Sequence, residues 1–255
     1  MSFEAPQVGL SARAYALALR MLSGAGAASV DAYRLGECLE FVAHGMTSAG
    51  ELVLAASPVG ELSRLADAQP AEVRLDIVKH TPDPSVSLVA ASLHVLGSMT
   101  WVESVEGELP ERVASLAAIP GVRLAVVEVE RAVLHDMAGA SVIDAGAPPA
   151  VVPALDEQDA FRAVARQDQS ALKDLCWAVL VDAVPGEVAS KATLPNLCAH
   201  TVDRVYCVDV DALGITLMLV GRHETLIAHA AFATPAISQA ALERRVDELV
   251  QGARI

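Results

Sequence analysis

Four side chains in the first half of the chain have the chemistry to bind a cofactor: Arg74, Lys79, His80 and His94. Arginine and lysine bind phosphate, and histidine binds metal or haem iron. Residues 73–78 alternate as a half-buried strand does, so Arg74 and Lys79, five positions apart, are expected on opposite faces. A joint phosphate site would need a bulge between them. Two interpretations of Arg74 and Lys79 therefore stay open: a solvated strand edge and a phosphate-binding site.

Histidine placement gives a second set of candidates. His80 lies at the exit of this predicted strand, and His94 lies within a later one. A neutral histidine with satisfied hydrogen bonds and a haem ligand are the two interpretations of each residue. His44 and His229, which also fall in or beside predicted strands, are open to the same two interpretations.

Cys198, His200 and Cys207 have the spacing nearest to that of metal ligands. A closed zinc site needs four ligands, and no fourth lies nearby, so we predict no metal site. Asp203, Asp209 and Asp211 are better explained by a hairpin turn at 211–214, because aspartate in turns bonds its own backbone. We interpret the cysteines as buried, small apolar residues in a reducing compartment, since no CxxC pair occurs among Cys38, Cys176, Cys198 and Cys207.

Asp168 falls on the apolar stripe of a predicted long helix, between Ala165 and Leu172. A carboxylate in that position needs a partner or partial contact with water. It either bonds the backbone in a groove between domains or lines a ligand cleft. The chain has no P-loop, HExxH or GxSxG motif, so we assign no catalytic residue.

The elements that must position these side chains begin with a helix over 11–22 that ends at Gly24 and Gly26. About seven short strands follow up to Ile143, separated by turn signals and by a helix over 109–119. We expect Gly97 to bend or bulge the long strand over 86–102, and we predict separate strands over 122–129 and 132–134. Such a series favours an antiparallel barrel.

Three prolines, Pro148, Pro149 and Pro153, mark the best domain boundary. We predict a barrel domain over 1–145, a linker over 146–155 and a second domain over 156–255. The second domain reads as one helix through residues 161–180, three antiparallel strands over 205–210, 215–219 and 226–232, and a final helix. The fold class is therefore α+β.

Composition limits the possible partners. The chain has 18 Lys and Arg against 32 Asp and Glu, a formal charge of −14, which disfavours nucleic acid and anionic membrane surfaces. No apolar run approaches the ~20 residues of a membrane span, and no cationic leader is followed by an apolar block. We therefore expect a cytoplasmic protein.

The last fifty or so residues resemble a known family. The run Val205-Tyr-Cys-Val-Asp-Val-Asp-Ala-Leu-Gly214, the strands from Ile215 to Phe232 and the exit Thr234-Pro-Ala-Ile-Ser-Gln-Ala-Ala-Leu242 resemble the C-terminal domain of haem-utilisation split-barrel proteins. These are related to the pyridoxamine-phosphate oxidases. The resemblance implies an N-terminal FMN-binding-type split barrel, a homodimer, and haem binding with or without haem degradation.

Two motifs of that family are altered here. Its His-Met-Asn-x-Asp-His run reads Arg166-Gln-Asp-Gln-Ser-Ala171, with Asp168 at the asparagine position, and its Ser-x-Leu-Ala-x-His-Thr-x-Asn-Leu motif, matched around Ser57–Leu65, lacks its His and Asn. A haem iron would need another ligand, such as His80 or His94. We therefore expect a haem-binding or haem-responsive protein in a non-catalytic or regulatory role. The alternatives are an oxidoreductase that holds a flavin or deazaflavin phosphate with Arg74 and Lys79, and a protein-interaction module without a cofactor.

Overall fold

The computed structural model describes residues 10–65, 69–143, 155–193 and 201–253. These divide between two compact units. The barrel unit comprises the described residues within Ala14–Lys79 and Ala91–Ala150, and the C-terminal unit comprises those within Met1–Arg13, His80–Ala90 and Val151–Ile255. The predicted linker over 146–155 lies, apart from Leu155, outside the described residues. None of the described helices is long and apolar enough to cross a membrane.

Six antiparallel strands form a closed barrel, as the spacing of short strands predicted. The elements are α1 (Leu10–Leu22), β1 (Ala27–Ala32), β2 (Glu37–Met46), β3 (Leu52–Ala56), a short 3-10 helix (Leu62–Arg64), β4 (Pro70–His80), β5 (Val89–Val102), α2 (Glu111–Ala117), β6 (Arg123–Asp136) and β7 (Gly139–Ile143). The strand order in the barrel is β3-β2-β1-β4-β5-β6, and β3 pairs again with β6 to close it, while β7 adds to the far side of β6.

Two apolar layers hold the barrel. The inner core takes alternate residues of every barrel strand together with α1, and Trp101 is among its largest fully buried side chains. β3 is buried on both faces, because α2 covers its outward residues Val53 and Ala55 with Val113. A strand that is buried on both faces has a continuous run of apolar residues in its sequence, and not an alternation of apolar and polar residues.

A β-bulge interrupts the pairing of β5 with β6, as expected near Gly97. Leu96 lies opposite Arg131 and Gly97 lies opposite Val129, so the extra residue is Glu130 on β6. A side chain at position 97 would not fit, since its Cβ would lie 2.0 Å from the carbonyl oxygen of Glu128. The prediction of two strands over 122–129 and 132–134 was wrong, because β6 is one strand that passes through the bulge.

The C-terminal unit contains a four-stranded antiparallel sheet with three helices packed on it. Its elements are α3 (Glu157–Ala165), α4 (Gln169–Leu180), β8 (Gly186–Thr193), β9 (Arg204–Val210), β10 (Gly214–Val220), β11 (Glu224–Ala231) and α5 (Gln239–Gly252). The strand order is β8-β11-β10-β9. The predicted three-stranded meander is part of this sheet, and β8 is the strand that the prediction missed.

The helix predicted through residues 161–180 is two helices, and this corrects the placement of Asp168. The residue caps the N-terminus of α4 with extended backbone, makes no side-chain capping hydrogen bond, and is exposed. It therefore does not lie on an apolar stripe. The apolar spacing continues across the break because both helices face the same core.

Candidate functional site

The outer face of the barrel carries two of the side chains that the sequence had singled out, Arg74 and His94. On β4, residues 71, 73, 75, 77 and 79 are buried, while Arg74 and Asp76 lie on the opposite, outward face. A strand places alternate side chains on opposite faces. Asp76 therefore shares its face with Arg74, and Lys79 points the other way.

Asp76 links two of the candidate groups. Its Oδ1 lies 2.6 Å from Nδ1 of His94, and its Oδ2 accepts a hydrogen bond of 2.9 Å from Nε of Arg74. Arg74 also reaches Asp31 on β1, with 3.4 Å between Nη2 and Oδ2. The His94 ring meets the ring of His135 edge-on, at 5.4 Å between centroids. We call Arg74, Asp76, His94 and His135 the His94 site.

The hydrogen bond to Asp76 fixes which nitrogen of His94 is available. An ionised carboxylate only accepts hydrogen bonds, so Nδ1 carries the hydrogen and Nε2 of the neutral ring keeps its lone pair. Within the described residues, Nε2 makes no hydrogen bond. A carboxylate behind a ligating histidine orients the ring and raises its basicity, which is the usual arrangement at metal-bound histidines.

Apolar side chains flank His94 on the same face. Strand pairing sets His94 opposite Val133, and Val133 opposite Val142, so these three form one row across β5, β6 and β7. Val142 is 69% exposed, and Leu96, two residues beyond His94, is also exposed and lies opposite Arg131. Opposite residues of an antiparallel pair are close neighbours on one face. The histidine thus stands beside an open apolar surface with cations near it.

Lys79 does not join this group. It is only 2% exposed, on the opposite face of β4 from Arg74, so the structure does not bring the two cations together. His80, exposed at the end of β4, and Asp168, also exposed, both belong to the C-terminal unit. Asp76 and His135 are the members of the site that sequence reasoning missed.

The residues with the spacing nearest to that of metal ligands fall partly outside the described residues. Cys198 and His200 lie there, and Cys207 is buried. Cys176 is buried as well, whereas Cys38 is exposed, so the interpretation of the cysteines as buried apolar residues was wrong for Cys38. In the described part, no three His, Cys, Asp or Glu side chains converge on one point. Asp211 forms the predicted turn, since its Oδ1 accepts hydrogen bonds from the backbone N–H groups of Leu213 and Gly214.

A buried histidine in the C-terminal unit, His229, has a different environment. Its Nδ1 lies 3.2 Å from the hydroxyl oxygen of Thr216. Its pKa is lowered to about 4, mainly by burial and to a smaller extent by Arg13, while Asp209 acts in the opposite direction. The ring is therefore neutral at pH 7. It also lines a cavity of about 350 Å³ with Arg13 and Phe232.

We expect this histidine to make the protein acid-sensitive. Its pKa is 6.5 when unfolded and about 4 when folded, so the unfolded chain takes up the proton more readily. The contribution of His229 to the free energy of unfolding is therefore fully present above pH 6.5. As the pH falls towards 4, the free energy of unfolding decreases by about 3 kcal/mol because of this residue. Urea unfolding gives the free energy of unfolding of each protein at pH 7 and at pH 4. Between these pH values, His229→Gln should lose about 3 kcal/mol less of it than the unmodified protein. Parallel losses in the two proteins would contradict the assignment.

Comparisons with known proteins give no family. No family model matches the chain, and no curated protein matches it. Among solved structures, it is similar to a haem-binding protein from Mycobacterium smegmatis, at 17% identity, 94% coverage of this chain, 97% of that one and a TM-score of 0.49. A protein of unknown function from Agrobacterium tumefaciens matches at 14% identity, 96% and 98% coverage and a TM-score of 0.33. Neither is similar enough to transfer a ligand or an activity.

Proposed function

We propose that this chain is a haem-binding protein whose iron ligand is Nε2 of His94. The observation that carries the proposal is the 2.6 Å contact between Nδ1 of His94 and Asp76, which leaves Nε2 as a fixed, outward lone pair. Four of the ligands of haem iron come from the porphyrin itself, so one histidine is enough to hold it. No cluster of three protein ligands is needed.

The surroundings of His94 fit haem in two further respects. The row of Val133 and Val142, together with Leu96, supplies apolar surface for the porphyrin. Arg131, on the strand opposite Leu96, supplies a guanidinium for a propionate carboxylate. Haem would bring iron redox chemistry to the site. The residues of the chain would hold and orient it.

The finer assignments belong to the same proposal. We place the chain with the haem-utilisation split-barrel proteins, in a non-catalytic and haem-responsive role, because their histidine positions hold Arg166 and Ala171 here. A homodimer that covers the open face beside Val142 would shield bound haem from water. The flavin alternative requires Arg74 and Lys79 to act on one phosphate, and they lie on opposite faces of β4.

An absorbance titration of the haem-free protein tests the proposal. Hemin should produce a saturable Soret shift near one equivalent, and FMN in a parallel titration should produce no change. The absence of a Soret shift would overturn the haem proposal and favour the protein-interaction module. An FMN complex that forms while hemin does not bind would favour the flavin alternative.

The carboxylate behind His94 should contribute measurably to hemin affinity. We expect Asp76→Asn to weaken hemin binding about tenfold or more, since loss of a carboxylate partner costs a ligating histidine its orientation and basicity. Asp31→Asn is the matched control, because Asp31 contacts Arg74 but not His94. Equal hemin affinity in the Asp76 variant and the unmodified protein would show that Asp76 does not support the ligand.

A further inference from the structure

A cavity of the barrel unit shares no residue with the His94 site. It occupies about 740 Å³ between the turn after α1, strands β1 and β2, and helix α2. This volume lies in the range of small-molecule sites, about 300–1,000 Å³. Its apolar lining includes Val42, Leu116 and Ile119.

A buried histidine forms part of the cavity wall. His44 is 4% exposed, and its Nε2 lies 2.7 Å from the carbonyl oxygen of Met21. A carbonyl oxygen only accepts hydrogen bonds, so Nε2 carries the hydrogen and Nδ1 is left as the acceptor. Burial lowers the pKa of this ring, and the nearby Arg112 lowers it further. His44 thus contributes a neutral ring whose acceptor nitrogen is fixed by the backbone.

The charges at the cavity disfavour an anion. Glu40 and Glu111 both line it, and the one cation in the lining, Arg112, donates a hydrogen bond of 3.2 Å to the carbonyl oxygen of Gly24. The whole chain carries a formal charge of −14. A neutral or cationic ligand is favoured by this field, and an anionic one is repelled.

The wall beside His44 is backbone without side chains. Gly24 and Gly26 have φ values of +113° and +94°, a region that other residues rarely adopt. A Cβ at Gly26 would lie 2.7 Å from the carbonyl oxygen of Val78. Both positions therefore require glycine, and the cavity wall there is main chain.

From the fixed acceptor on His44, the acidic rim and the side-chain-free wall, we propose that this cavity binds a neutral or cationic aromatic nitrogen heterocycle. A ring N–H of the ligand donates to Nδ1 of His44. The apolar residues of β2 and α2 cover the faces of the ring. The site is independent of haem, because it shares no residue with the His94 site.

Two matched probes test the proposal on the haem-free full chain. Benzimidazole has a ring N–H and is mostly neutral at pH 7.4, and 1-methylbenzimidazole carries a methyl group in place of that donor hydrogen. Titration followed by ¹H–¹⁵N spectra should show benzimidazole shifting the amide signals of Gly24, Gly26 and Ala43. The methylated probe should bind at least about tenfold more weakly, the loss expected when a buried hydrogen bond is removed.

Two tryptophan variants separate this cavity from binding elsewhere. Ser115 and Ala114 are neighbouring exposed residues of α2, and only Ser115 lines the cavity. Ser115→Trp should abolish the benzimidazole shifts, and Ala114→Trp should leave them unchanged. Equal binding of the two probes, equal effects of the two variants, or no shift up to the solubility limit of benzimidazole would each overturn the proposal.

Discussion

Replacing His94 by alanine should reduce hemin affinity at least about 100-fold, a larger effect than loss of its carboxylate partner, because the iron loses its protein ligand. The Soret maximum of the mixture should move towards that of free hemin. Free imidazole should restore a protein-dependent spectrum, since the cavity left by His94→Ala can admit it beside Asp76. The measurement is an absorbance titration of the purified variant with hemin, with and without imidazole.

Two other histidines serve as controls for this result. His80, the other ligand suggested by the sequence, and His223, in a turn of the C-terminal unit, are both exposed. We expect His80→Ala and His223→Ala to bind hemin as the unmodified protein does. If His80→Ala loses the Soret shift while His94→Ala keeps it, His80 is the ligand and the assignment to His94 is wrong.

The second large effect concerns the stability of the barrel unit. It is expected for Trp101, which is buried, and not for Trp177, which is exposed. Trp101 is 1% exposed in the barrel core, and its Nε1 donates a hydrogen bond of 3.0 Å to the carbonyl oxygen of Leu62. The guanidinium of Arg123 lies 4.9 Å from its ring centroid. Trp101→Ala should therefore lower the free energy of unfolding of the barrel unit by about 3–5 kcal/mol.

Trp177 provides the matched control. It is 44% exposed on α4, so Trp177→Ala should cost about 1 kcal/mol or less. Amide hydrogen exchange of the barrel strands is the suitable measurement, because it reports the barrel unit separately from the C-terminal unit. Similar losses of protection in the barrel strands of the two variants would contradict the placement of Trp101 in the core.

The central pair of the His94 site could have been found from the sequence. Asp76 lies four residues before the end of β4 and His94 five residues after the start of β5, so the two are at nearly equal distances from the centre of the loop between these strands. In an antiparallel hairpin, residues equally distant from the loop centre face each other. The alternation along each single strand does not show how the two strands pair. It therefore did not identify Asp76 as the partner of His94.

The missed elements carry weak signals. β1 alternates, but its buried positions are Ala28, Val30 and Ala32, and alanine is a poor indicator of a strand. β8 shows no alternation, because its side chains are exposed or half-buried along its whole length. The break before α4 was hidden because the apolar spacing continues through it, and only the capping position of Asp168 marks the new helix.

The prediction of two strands in place of β6 followed from a real change in the pattern. The inward residues are Ala125, Val127 and Val129 before the bulge, and Ala132 and Leu134 after it. The positions change from odd to even at Glu130. A period-2 pattern that changes phase reads as the end of one strand and the start of another.

This change of phase determines how the barrel can tolerate changes in chain length. Removing Glu130 would bring Ala132 and Leu134 into phase with Ala125, Val127 and Val129, so every inward side chain would stay inward. Removing one residue elsewhere in β6 would turn part of the core outwards. The bulge also lies where β6 leaves β3 and begins to pair with β7. Among diverging relatives, single-residue insertions and deletions in this strand should therefore collect at position 130.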